Sequence, residues 1–225
     1  MAIASVAHAG AGSSDNSVAT TSSVDTTGAN LIVLATASYA PSAAPTVSDS
    51  KSNTWTALST YTAYLSRVKL FYCLNPTVGS GHTFTATTSG AAPSICIGSF
   101  SGVKTSSAYE AENGNNVAPG TSLSTGSITP AENGELIMSA LAISNSETPT
   151  VNSSLSILDH VAYAANHYGL DLAYLVQNSA AAINPTWSWT NSRYAAAQIA
   201  CFKAAPSGFY GRPYYELIGR GGLNV

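Results

Sequence analysis

Val68, Leu70, Tyr72 and Leu74 alternate with Lys69, Phe71 and Cys73. Successive side chains of an extended chain point to opposite sides, so this alternation predicts a strand with one apolar face. Leu170, Leu172, Tyr174 and Val176 repeat the pattern. Phe84 and Ala86 alternate with Thr83, Thr85 and Thr87, and Trp187 and Trp189 occupy the matching places further on. β-Branched threonines suit the open side of such strands. Leu31-Ile-Val-Leu-Ala35 and Ala195-Ala-Ala-Gln-Ile-Ala-Cys-Phe202 are apolar on both faces, as central strands are. Between these runs lie turn-forming clusters: Ser50–Asn53, Asn75–Gly81, Asn113–Asn116, Pro130–Gly134 and Asn145–Pro149. No stretch combines amphipathic helical spacing with caps. The alanine-rich segment from Val161 to Leu170 reads as a short helix or as the lead-in to a strand. Many short strands separated by turns predict an all-β fold, a β-sandwich or jelly roll.

The runs recur in order. Leu31-Ile-Val pairs with Leu136-Ile-Met, Ala44-Pro-Thr-Val47 with Thr148-Pro-Thr-Val151, and Val68–Leu74 with Leu170–Val176. Thr83–Ser89 pairs with Thr186–Ser192, and Ile97–Phe100 with Ile199–Phe202. Each partner lies about one hundred residues further on, a period too long for a solenoid unit and suited to one small sandwich. The expected organisation is two diverged β repeats, 1–104 and 105–205, packed as one compact unit, followed by an extended C-terminal arm, 206–225. The Gly/Asn/Ser-rich segment from Ser106 to Thr125 reads as the link between the copies, and Val161–Leu170 takes its strand-side reading from the alignment.

Charged residues make up only 8% of the 225-residue chain, so its polar surface rests on Ser, Thr, Asn and Gly. The net charge is -3 and the basic residues are scattered, which speaks against phosphate-based nucleic-acid binding. No apolar run is long enough to span a bilayer, so no membrane insertion is expected. The opening residues lack the basic and apolar regions of a secretory signal. Cys73, Cys96 and Cys201 sit in strand-like runs without paired spacing and read as small buried hydrophobes.

Candidate chemistry is sparse. The chain has no GxSxG, HExxH, phosphate-loop or CxxC pattern, and the reading assigns no catalytic residue, metal or cofactor. Asp159 and His160 are adjacent and could meet a ligand, or simply lie at a solvated strand end. Asp49, Lys51 and Asn53 lack the glycine and distal glutamate of a calcium loop and read as a side-chain-held turn. Glu110 and Glu112 alternate on an extended segment and would share a face, as surface charges or as a carboxylate pair. Trp55 follows a turn and is a candidate for stacking on a sugar ring. The last residues hold Phe209, Tyr210, Arg212, Tyr214, Tyr215 and Arg220 among Gly and Pro. Aromatic and Arg side chains anchor interfaces, so this arm is the expected partner-binding element.

Val47-Ser-Asp-Ser-Lys-Ser-Asn-Thr-Trp-Thr56, Tyr72-Cys-Leu-Asn75, His82-Thr-Phe-Thr-Ala-Thr87 and Gly98-Ser-Phe-Ser-Gly-Val103 together resemble a module of tailed-phage and prophage virion structural proteins. Thr125-Gly-Ser-Ile-Thr-Pro130 with Gly134-Glu-Leu136 fits the same pattern, and the resemblance spans about residues 15 to 204. It implies a β-sandwich with a non-enzymatic virion role: capsid decoration, head fibre or tail fibre. The implied partners are further copies of the chain and other virion proteins, and the implied location is the virion, after synthesis in the host cytoplasm. The alternative from the aromatic content is a glycan-binding adhesin or lectin-like module recognising cell-surface sugars.

Overall fold

The computed structural model describes residues 2–206. Fourteen strands follow one another in these residues: β1 (Ala4–Gly12), β2 (Val18–Thr20), β3 (Leu31–Tyr39), β4 (Thr46–Asp49), β5 (Thr56–Thr62), β6 (Ser66–Leu74), β7 (Phe84–Thr87), β8 (Ser94–Ser101), β9 (Tyr109–Ser124), β10 (Glu135–Ile143), β11 (Thr150–Val151), β12 (Ser156–Val161), β13 (Gly169–Gln177) and β14 (Thr186–Phe202). All pairings between them are antiparallel. The fold is all-β and of sandwich type.

One large sheet runs β1-β8-β3-β6-β5. A second runs β14-β10-β13-β12, with β9 on the free side of β14. Both therefore follow one plan: an upstream strand beside the last strand of the half, then the first central strand, then the outer pair. The third sheet, β2-β7-β4, covers the outside of the first large sheet. In the second half the same outer place is taken by the leading end of β14, which pairs with β11 on one side and with Leu123 and its neighbours on β9 on the other. The isolated bridges Val24–His82 and Ile128–Ile183 sit at corresponding points of the two halves.

The alternation read from sequence sorts the side chains between layers. Val68 and Leu70 on β6, and Leu31, Val33, Ala35 and Ala37 on β3, face inward. They meet Leu136, Met138, Ala140 and Ala142 on β10 and Leu170 and Leu172 on β13 in one continuous core between the two large sheets. Ile32, Leu34 and Phe71 point the other way, onto Phe84 and Ala86. Ile137, Leu141 and Ile143 likewise point onto Trp187 and Trp189. Four layers thus enclose three cores. Because β3 and β10 are covered on both sides, their sequences carry no alternation of polarity.

The segment from Ser106 to Thr125, Asn113–Asn116 included, corrects the sequence expectation. It is no link: Tyr109–Ser124 form β9, which pairs with β14 along most of its length. Its stability comes from ladder bonds to β14 rather than from strand propensity. Gly114 has a specific reason to be there, since a Cβ at this position would lie 2.4 Å from the Tyr61 ring of β5.

A polar seam crosses the central core where β5 bulges. The β5–β6 register slips between Ala57 and Thr60, so Leu70 and Ser59 lose their ladder partners. Gln198 of β14, fully buried, takes their place. Its Oε1 accepts the Leu70 N–H (2.8 Å), and its Nε2 donates to the Ser59 carbonyl (3.1 Å) and to Glu112 Oε2 (2.7 Å). Glu112 in turn accepts the Ser59 N–H and hydroxyl. One side chain from the second sheet thus completes the first. Gln198→Leu strands the buried Leu70 N–H, and should destabilise the protein by about 1–3 kcal/mol. Gln198→Glu, which sets a second carboxylate beside Glu112, should cost at least as much. Urea unfolding followed by tryptophan fluorescence measures both, and an unchanged midpoint for Gln198→Leu would refute the clamp.

Candidate functional site

The densest polar array in the outer layer of the first half centres on Asp49, at the end of β4. Asp49 Oδ1 accepts the Lys51 N–H (2.8 Å) and an Asn53 side-chain N–H (3.1 Å), which makes the turn read from the sequence. Oδ2 accepts Trp55 Nε1–H at 2.9 Å. His82 Nε2 lies 3.0 Å from Oδ1, and both side chains are fully buried. On the far side, His82 Nδ1 lies 2.9 Å from Thr26 Oγ1, which also accepts the Gly79 N–H at 3.1 Å. The order Thr–His–Asp has the connectivity of a nucleophile–base–orienter relay. Here the hydroxyl is enclosed by Gly79 and His82, with Thr26 fully buried, and the array joins three loops to β4 and β7.

Trp55 belongs to this array. It is half-buried, with its indole N–H on Asp49 and its ring edge-on to Phe84 at a centroid distance of 6.1 Å. The most exposed large aromatic among the described residues is instead Tyr64, 72% exposed and tilted against Tyr194 at 5.4 Å between ring centroids. Nothing in the sequence singled this pair out, because the two residues come from different halves.

Asp159 and His160 turn to different partners. Asp159 Oδ2 meets His8 Nδ1 of β1 at 2.9 Å, tying the two large sheets at their edges. His160 Nδ1 meets Asp171 Oδ1 of β13 at 2.7 Å. The Asp171 hydrogen bond raises the His160 pKa above its ordinary value against the opposing effect of burial. Burial pushes the Asp171 carboxyl up despite that histidine.

Glu110 and Glu112 also part, which corrects the expectation of a shared face. A register shift in the β9–β14 pairing separates them. Glu112 goes to the central seam, whereas Glu110 turns to a corner made by the start of β10 and the end of β14. There Lys203 Nζ lies 3.5 Å from Glu110 Oε1, and Glu110 Oε2 accepts the Ala131 N–H at 3.2 Å. Glu135 is fully buried beside it, with Oε1 on the Glu132 N–H (2.9 Å) and Oε2 without a hydrogen-bond partner. Burial, together with the neighbouring Glu110 carboxyl, raises the Glu135 pKa to about 7. One carboxylate oxygen of each glutamate and the Cys201 Sγ lie within 4.8 Å of one another. Burial likewise pushes the Cys201 thiol up to about 12.

All three cysteines are free and buried. Glu147, nearly enclosed, pins the bend of β14: its Oε2 accepts the N–H groups of Thr190 and Asn191, and its Oε1 accepts Arg193 Nε–H at 2.9 Å. The arm residues Phe209, Tyr210, Arg212, Tyr214, Tyr215 and Arg220 lie outside the described residues. The chain reaches Pro206 between two depressions. One is lined by Ala2, Ile3, Glu132, Gly134 and Val176, the other by Gly28, Asn30, Gly102 and Val103.

No protein-family model matches the chain, and neither does any curated protein or solved structure. Among the described residues, no helix is long and apolar enough to cross a membrane.

The Asp49 array carries a defined pH response. Burial pushes the Asp49 carboxyl up, but the hydrogen bonds from His82, Lys51, Trp55 and Asn53 outweigh it and leave the pKa below the ordinary carboxylate value. A carboxylate held below its unfolded-state pKa stabilises the fold above about pH 4 and loses that contribution as pH falls through the folded value. Asp49→Asn should therefore lower stability at pH 7 by on the order of 2 kcal/mol. Its deficit against wild type should shrink in strong acid. Urea titrations at neutral pH and in acid test this, and a deficit independent of pH would place the contribution elsewhere than in the Asp49 charge.

Proposed function

We propose that the chain is a non-enzymatic structural subunit of a phage-type virion, of the capsid-decoration, head-fibre or tail-fibre kind. In this reading it self-associates and seats on other virion proteins. The observation that carries the reading is where the chain spends its few chemistry-bearing side chains. Asp49 and His82 join loops to the outer layer, Gln198 and Glu112 join the two large sheets, and Glu147 with Arg193 fixes the bend of β14. Such groups build a rigid body that neutral polar residues then cover. The same reading takes the two halves as diverged copies of one unit, supported by their matched strand order. It assigns attachment to the segment after Pro206, a residue that lines two depressions together with Ala205.

The edges of the large sheets support attachment through that segment rather than along the sides. β1, β5, β9 and β12 each carry a register irregularity against their neighbours. Bulged edges resist edge-to-edge addition of another sheet.

A glycan-binding role is the second reading, and the exposed Tyr64–Tyr194 pair favours it, since aromatic faces stack on sugar rings. Light scattering coupled to size-exclusion chromatography distinguishes the two. The full chain should be an oligomer, and a chain ending at Ala205 a folded monomer. Two identical monomers would overturn self-assembly through the tail and favour the glycan reading. That reading in turn requires sugar binding that Tyr64→Ala abolishes.

A further inference from the structure

Among the described residues, two fully buried carboxyls, Glu135 and Asp171, each keep one oxygen without a hydrogen-bond partner, and only Glu135 has a second carboxyl and a thiol gathered beside it. Glu135 is fully enclosed, yet its Oε2 has no hydrogen-bond partner. A buried carboxylate oxygen without a partner costs several kcal/mol unless something positive reaches it. The groups in reach are the Glu110 carboxyl, which can share a proton with Glu135, and the Cys201 thiol; the only positive charge felt there is that of Lys203, whose effect is the smallest of those acting on Glu135. Lys203 lies against Glu110. A cation would be the partner that Glu135 Oε2 lacks; the Cys201 thiol meanwhile donates to the Ala111 carbonyl at 3.8 Å.

We propose that Glu110, Glu135 and Cys201 form a binding site for a divalent zinc-type cation. The donor set, two carboxylate oxygens and one sulfur, is one that zinc accepts, and three protein ligands leave its fourth position to water. Donors on a tetrahedral zinc sit roughly 3.5 Å apart. The three atoms here already lie within 4.8 Å of one another, so small side-chain rotations bring them onto an ion. The outer supports are in place: the Glu132 N–H holds Glu135 Oε1, and the Ala131 N–H holds Glu110 Oε2. Hydrogen bonds of this kind orient metal-ligating carboxylates. The backbone under the site is rigid, because Glu135 and Cys201 stand on paired strands β10 and β14 and Glu110 on the adjoining β9. Glu110 and Lys203 are each partly exposed and form the solvent side of the corner, so Lys203 can swing outward as the ion arrives.

Binding releases the Cys201 thiol proton, and any proton shared between the glutamates, to solvent, so affinity rises with pH. The site ties the consecutive strands β9 and β10 to the distant β14, close to Pro206. An ion there stabilises the fold by mass action.

The test is a Co²⁺ titration of the full chain, followed through the thiolate-to-cobalt charge-transfer absorption and repeated with Zn²⁺ as competitor. The expected result is a band that saturates at about one ion per chain and is displaced by zinc. Cys201→Ala should abolish the band, and Cys73→Ala and Cys96→Ala should keep it. Glu135→Gln should weaken binding at least tenfold, and Glu110→Gln should do the same. Circular dichroism checks that each variant is folded. No band in wild type overturns the proposal and leaves the corner as a proton-sharing carboxyl pair. A band that survives Cys201→Ala, or that neither Gln variant weakens, also overturns it, because the ion then sits elsewhere.

Discussion

The protein depends on the face-to-face contact of its two large sheets. Everything else is arranged around that central core, since each sheet can be covered on its outer side by a small layer from its own half, but on its inner side only by the other half. Small side chains make the contact close. Ala35 and Ala37 on one side, with Ala140, Ala142, Ala196 and Ala200 on the other, let the backbones approach, while Phe100, Leu136, Leu170 and Phe202 fill the periphery. Packing of this density tolerates no gap, and a bulged edge strand would open one. Gln198 closes it with hydrogen bonds rather than with hydrocarbon. A buried amide of this kind also fixes the relative placement of the sheets, because its three partners meet it in one register only.

What could be read from the sequence divides along a physical line. Alternation is local, so β6, β13 and the Trp187–Trp189 stretch were legible from a few neighbouring residues. The turn at Asp49 was legible for the same reason, since the carboxylate caps backbone groups two and four residues on. Register is not local. That Gln198 would face the β5 bulge, or that Glu135 would share a corner with Cys201, depends on pairings between residues far apart in the chain. β9 shows the limit most plainly. Its Asn-Gly-Asn-Asn run has turn chemistry, and only the unpaired side of β14 makes a strand of it.

Electrostatics in this protein is a matter of a few buried groups rather than of a surface field. With only 8% charged residues, long-range steering is weak. The carboxylates that remain are used at short range, against backbone N–H groups or a neighbouring basic side chain. Glu147 and Asp49 are stabilised in this way and sit below their ordinary range, whereas Asp171 and Glu135, with less support, sit above it. The contrast follows from donor count: Glu147 accepts three hydrogen bonds, and Glu135 has one donor and a free oxygen.

The uninterrupted course of β14 has a mechanical consequence. Where the first half breaks into β7 and β8, the second half runs as one strand from the outer layer into the large sheet, and the chain leaves from its end. A pull on the C-terminal segment along the strand is taken up by β14 lengthwise, between antiparallel neighbours β9 and β10. The ladder bonds lie across that direction, so the load is shared among many of them at once instead of opening them one after another. A subunit tethered by this segment would resist tension through shear of a strand paired on both sides.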